Sequence, residues 1–122
     1  MALLSIITPV FNCRDFIGAC IENVANQATT EMEHIIIDGG SSDGTVQVLE
    51  AAARRYPHLK WLSEPDHGQS DAMNKGVDLA SGTVLGFLNA DDYYQPGVLA
   101  HITDLFIGLP EPSLVVGNCN VW

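Results

Sequence analysis

Thr83-Val84-Leu85-Gly86-Phe87-Leu88-Asn89-Ala90-Asp91-Asp92 is the stretch whose reading decides the fold. Residues 83–88 form one apolar run, the pattern of a strand in the middle of a parallel sheet covered on both faces. Two adjacent carboxylates follow at its carboxyl end, the edge where open α/β folds bind ligands. Like charges placed side by side repel. Their pairing makes sense if a divalent cation or a polyhydroxyl ligand sits between them and their target. The plainer alternative is an acidic turn.

Outward from this strand, strand-like and helix-like segments alternate. Residues 3–10 read as a first strand, and residues 15–26 as a helix with Phe16, Ile17, Cys20, Ile21 and Val24 on one face. Residues 33–38 form a short apolar strand ending in an Asp-Gly-Gly turn. Residues 45–56 are helical, with Val46, Leu49, Ala53 and Tyr56 in register and Asp43 or Thr45 available as N-cap. A third strand spans 60–63, and a third helix spans 70–80, closed by Ser81-Gly82. A helix from about 97 to 107 and a fifth strand at 114–117 complete the series. Repeated βα units predict a three-layer α/β/α architecture with a mostly parallel, Rossmann-like sheet. The last residues, Leu114 to Trp122, stop in or just past a strand with no closing helix. Residues 1–122 are therefore expected to be a single domain truncated at its carboxyl end, the alternative being a small domain that ends on an edge strand.

Length and composition bound the function. A chain of 122 residues, 47% hydrophobic, holds one core. No apolar run approaches the ~18 residues of a transmembrane helix, and the start lacks a basic leader. A cytoplasmic placement is expected, with peripheral association at the inner face of a membrane left open. Fifteen acidic against five basic residues give a net charge of −10, which disfavours nucleic acid. A phosphate ligand would need a metal, helix amino termini or a few placed cations. Cys13, Cys20 and Cys119 show no metal spacing and read as reduced packing thiols.

Parallel strands would bring four polar strand ends to one edge: residues 8–12, 37–45, 63–70 and 89–92. Asp38 leaves a buried strand directly, so its carboxylate suits a base N–H or a ribose hydroxyl; equally, it could hold its own glycine-rich turn. Residues 39–44 lack the Gly-Lys-Ser/Thr ending of a phosphate-cradling loop, and no G-x-G-x-x-G follows the first strand. His67, beside Asp66, reads as a loop contact before a metal ligand. Asp71, Asn74 and Lys75 share a helix face. Lys75 could offset phosphate charge, or pair with Asp71 or Asp78 at the surface. Tyr93 and Tyr94 could line a pocket or simply pack.

Taken together, Thr8-Pro9-Val10-Phe11-Asn12, the run Ile37 to Thr45, Asp71-Ala72-Met73-Asn74-Lys75-Gly76 and Leu88-Asn89-Ala90-Asp91-Asp92 resemble family 2 glycosyltransferases, inverting enzymes of GT-A fold. The resemblance runs through nearly the whole chain, with the motifs in the family's order. It implies the nucleotide-sugar-binding half of an enzyme that moves a sugar from a nucleotide-sugar, a UDP-sugar, to a hydroxyl on a carbohydrate or lipid-linked acceptor. Homo-oligomerisation is left open. By position, Pro9 and Phe11 would border the base, Asp38 would bind uracil or its ribose, and Asp43 would lie near the base. Asp91 would contact the ribose or the metal's water shell, and Asp92 would ligate the cofactor, Mg²⁺ or Mn²⁺, bridging the diphosphate. Such a metal would resolve the charge problem. Three departures follow. Asn89 stands for the first acid of the Asp-x-Asp signature. Met73 stands where an arginine is often found, so Lys75 would take the phosphate contact. No general base has a counterpart between Asp92 and Trp122, since Asp104 and Glu111 fall in a helix and a proline-flanked loop; the base is expected beyond Trp122. The chain alone should therefore bind donor with little or no transfer. The alternatives are a non-catalytic nucleotide-sugar-binding fragment and, ranked behind because the loop Val10-Phe11-Asn12-Cys13-Arg14 is not glycine-rich, a sugar nucleotidyltransferase.

Overall fold

The computed structural model describes residues 4–107. β1 (Leu4–Val10), α1 (Arg14–Ala25), β2 (Met32–Asp38), α2 (Thr45–Arg55), β3 (Leu59–Ser63), α3 (Gln69–Leu79), β4 (Val84–Phe87) and α4 (Val98–Ile107) alternate along the chain. The four strands form one sheet in the order β3-β2-β1-β4, and every pairing is parallel. All four strand ends therefore share one edge. The fold is α/β, as the sequence predicts. The fifth strand expected at 114–117 lies outside the described residues.

Side chains alternate between two cores because the strand period is two. Leu4, Ile6, Val10, Met32 and Ile36 point to a larger core with Ile17, Cys20, Ile21 and Val24 of α1, Leu49 of α2 and Leu99 of α4. Ile7, Ile35 and Ile37 point the other way, onto Ala72 of α3. Gly76 sets the distance of α3 from the sheet: a Cβ there would lie 2.4 Å from Ile7 Cγ2. Every position of β1 and β2 is buried, which accounts for the apolar side chains on both of their faces.

Four local expectations are corrected. Phe16 is 56% exposed, because the sheet-facing stripe of α1 is Ile17-Cys20-Ile21-Val24 and the preceding position is rotated about 100° from it. β4 ends the described strand order and, among the described residues, is covered on one face only. α3 packs over β1 and β2, so Leu85 and Phe87 remain 40% and 48% exposed. Ser81-Gly82 does not cap α3, which ends at Leu79 with Ala80 already extended. Gly82 instead admits close approach: its N–H donates to Ser5 Oγ at 2.9 Å, and a Cβ there would meet that oxygen at 2.6 Å. The N-cap of α2 is likewise neither residue expected but Gly44, at φ 104°, with Thr45 in the first turn and Asp43 bonding just outside it.

A candidate donor-binding cleft

The loops at the carboxyl edge are tied to one another before any ligand is considered. Asn12 Oδ1 accepts the Ser42 N–H at 2.9 Å, and the Asn12 N–H donates to Ser41 Oγ at 2.7 Å. The Cys13 N–H donates to Thr45 Oγ1 at 3.2 Å, and the Arg14 N–H to Asp43 Oδ2 at 3.2 Å. These bonds zip the β1–α1 loop to the β2–α2 loop. Asp43 works inside this zipper, and its carboxyl is held below the usual range by the Thr45 hydroxyl first.

A cleft of about 670 Å³ opens beside this scaffold, within the range of small-ligand sites. Pro9, Phe11, Gly39 and Asp66 contribute to its lining from the first three strand ends, and Asn89 and Asp91 from the fourth. Phe11 and Phe16, both more than half exposed, also line it. Gln69 Nε2 donates to Asn89 Oδ1 at 2.8 Å and closes the ring of loops. A second hollow of about 640 Å³ lies between α1 and α2. No strand residue lines it, so the edge cleft is the stronger site.

Of the residues expected in a donor site, Pro9, Phe11 and Asp91 line this cleft, whereas Asp38, Asp43, Lys75 and Asp92 do not. Asp38 is fully buried. Its carboxylate accepts the Gly40 and Ser41 N–H groups at 3.1 and 2.9 Å, the Ser63 hydroxyl at 2.7 Å and the Ser41 hydroxyl. It holds the glycine-rich turn, one of the two readings its position allowed. Lys75 ion-pairs with Glu64 at 3.0 Å and Asp71 at 3.7 Å, and donates to the Pro65 carbonyl at 3.3 Å. Glu64 chiefly raises its pKa. Asp71 was a foreseen partner; Glu64 was not. Lys75 thereby clamps the β3–α3 loop, which places Asp66.

Asp91 and Asp92 are both exposed at the rim, and the Asp92 N–H closes a turn onto the Asn89 carbonyl at 3.0 Å. Among the described residues, no group of three or more His, Cys, Asp and Glu side chains is placed to hold a metal ion. Tyr94 packs against the larger core, and burial pushes its hydroxyl up to about 12. Cys13 and Cys20 are free thiols; burial pushes Cys20 up to about 11, so it stays protonated as a packing residue. The sequence reading passed over Gly39, Asp66 and Gln69 as site residues. Their signal was present, since all three fall in the polar strand-end loops.

Comparison with known proteins agrees with this geometry. Residues 5–119 match the family described as Glycosyl transferase family 2. The chain is 41% identical over 119 residues to a PGL/p-HBAD biosynthesis glycosyltransferase of Mycobacterium bovis BCG, covering 95% of this chain and 46% of that protein. It is 34% identical to the glycosyltransferase YibD of Escherichia coli K12, covering 96% of this chain and 33% of that one. The chain thus spans between a third and about half the length of these relatives. Among solved structures, Staphylococcus aureus TarS 1–349 in complex with UDP superposes with a TM-score of 0.78 at 26% identity, over 86% of this chain and 32% of that one. A Pyrobaculum calidifontis mannosyltransferase solved with GDP-Man and Mn²⁺, at 23% identity, shares the fold with a TM-score of 0.73, over 80% of this chain and 30% of that one. Among the described residues no helix is long and apolar enough to cross a membrane. With four strand ends converging on one cleft and the family pattern running through residues 5–119, this chain belongs to glycosyl transferase family 2.

Proposed function

We propose that the edge cleft binds a nucleotide-diphospho-sugar, a UDP-sugar, and that the chain is the donor-binding part of an inverting glycosyltransferase acting on a hydroxyl of a carbohydrate or lipid-linked acceptor. The observation that carries this is the cleft itself: an aromatic wall at Phe11, a floor at Pro9 and Gly39, and carboxylates at Asp66 and Asp91, on a family 2 scaffold. UDP in TarS, which shares the fold, supports uridine as the nucleotide.

Asp91 and Asp92 fit Mg²⁺ or Mn²⁺. They are exposed, hard oxygen donors, and such ions take one or two carboxylates together with substrate phosphates rather than a closed protein cage. When bound, the ion would neutralise the diphosphate as a leaving group. Phe11 then covers the base, the zipped loops fix the ribose, and Lys75 and Asp71 hold the β3–α3 loop in place. The general base is proposed to lie beyond Trp122, so the chain by itself binds donor without transferring sugar. Calorimetry of the chain with UDP in Mn²⁺ tests this reading. Saturable heat for wild type that falls at least tenfold in affinity for Asp92→Ala supports it. Equal affinity for both removes Asp92 as the ligand.

A further inference from the structure

Asp38 is enclosed and its acceptor capacity is taken up by four donors, two N–H groups and two hydroxyls. It has little left to offer a ligand. Asp66 stands in contrast. It lines the cleft and is half-buried. Its Oδ1 accepts the Gly68 N–H at 3.0 Å, while among the described residues Oδ2 accepts no hydrogen bond. That oxygen lies over Gly39: a Cβ at position 39 would stand 2.9 Å from Oδ2 and 3.1 Å from Cγ. The missing side chain at 39 makes the space that the Asp66 carboxylate fills. Gly39 and Asp66 are thus matched, one from the end of β2 and the other from the β3–α3 loop.

Three contacts keep Asp66 there. Lys75 grips the two residues before Asp66, through the Glu64 carboxylate and the Pro65 carbonyl. Asp71 accepts the His67 N–H at 3.0 Å. Gly68, at φ 113° and ψ −173°, occupies backbone space that is essentially glycine-only, and it turns its N–H onto Asp66. The carboxylate is held by its own loop with one oxygen left for a ligand.

Resting on the donor-site reading above, we infer that Asp66 Oδ2 is the acceptor for the ring N–H of the nucleotide's base, with Asp38 acting only through the turn it holds. A carboxylate that accepts a ring N–H discriminates sharply against a base lacking that donor, because the partner left unpaired loses its compensation.

The test is calorimetry of the full chain in Mn²⁺ with UDP and with N3-methyl-UDP, which lacks the ring N–H. Wild type is expected to bind UDP about tenfold or more tightly than the methylated ligand. Asp66→Ala is expected to bind both equally weakly. Gly39→Ala, whose Cβ displaces the Asp66 carboxylate, should show the same loss of discrimination. Wild type binding UDP while Asp66→Ala keeps full discrimination against the methylated ligand overturns the inference and leaves the donor site standing. A parallel loss of both ligands with discrimination retained makes Asp66 structural and equally overturns it. Wild type binding neither ligand removes the donor site and the inference together.

Discussion

Gln69 Nε2 lies 2.8 Å from Asn89 Oδ1, joining the first residue of α3 to the first residue after β4's apolar run. The amide that replaces an acid at 89 is therefore engaged in holding the cleft ring. Asn89→Asp should keep this acceptor and add a third charge near Asp91 and Asp92. The expected outcome is Mn²⁺ binding to the ligand-free protein that tightens severalfold, read by electron paramagnetic resonance of free Mn²⁺. Unchanged affinity would mean that position 89 does not share a cation site with the two acids.

Asp38 and Asp66 should separate stability from binding. Asp38→Ala strands buried N–H and hydroxyl donors, so it should lower unfolding stability by about 3 kcal/mol in urea. Asp66→Ala, at the half-buried cleft wall, should leave the unfolding stability in urea within about 0.5 kcal/mol of wild type. Comparable losses for the two would contradict the division of roles drawn here.

How much of this was legible beforehand differs by level. The runs Leu4–Val10 and Met32–Asp38 carry apolar residues on both faces, so a parallel sheet and its carboxyl edge could be read directly. Pro9, Phe11 and Asp91 were placed at the cleft because strand ends and family motif agree on them. The burial of Asp38 was not legible, since its four donors include Ser63, 25 residues away on another strand. Nor was the Gly39–Asp66 match, which exists only once the second and third strand ends lie side by side. Phe16 misled because an apolar residue at a helix start satisfies a loose stripe, although it stands about 100° round the helix from Ile17.

Acid should act first through histidine. His34 is fully buried, with Nε2 2.8 Å from Thr8 Oγ1 and Nδ1 unpartnered among the described residues. Burial, and then the neighbouring His58, push it down to about 3. The folded state keeps it neutral while the unfolded chain takes up a proton below about 6.5, so its stabilisation is present above that pH and lost as pH falls towards 3. Urea midpoints should therefore drop between pH 6.5 and 4.5, and His34→Gln should flatten that slope.

A second acid limb belongs to Glu33. Burial alone would raise its pKa, but Lys60 at 2.6 Å, Ser5 and Ser81 outweigh it and hold the carboxyl at about 2. Its stabilisation is complete above about 4.5 and disappears as pH falls towards 2. With Lys60 more than half exposed, about 2 kcal/mol is expected from the limb, which Glu33→Gln should abolish.

Gly76→Ala tests the packing of α3. Its Cβ would sit 2.4 Å from Ile7 Cγ2, so a loss of about 1–3 kcal/mol is expected. Ile7→Ala in that background should cost less than Ile7→Ala alone, because the added methyl takes part of the vacated space. Additive losses would mean that the two positions do not press on each other.

A crystal structure of the chain with UDP and manganese tests the central claim most directly. The account predicts the uracil between Phe11 and Asp66, its ring N–H on Oδ2, and the metal at Asp91 and Asp92. Nucleotide density away from the carboxyl edge of the sheet, or none at saturating UDP, would contradict it.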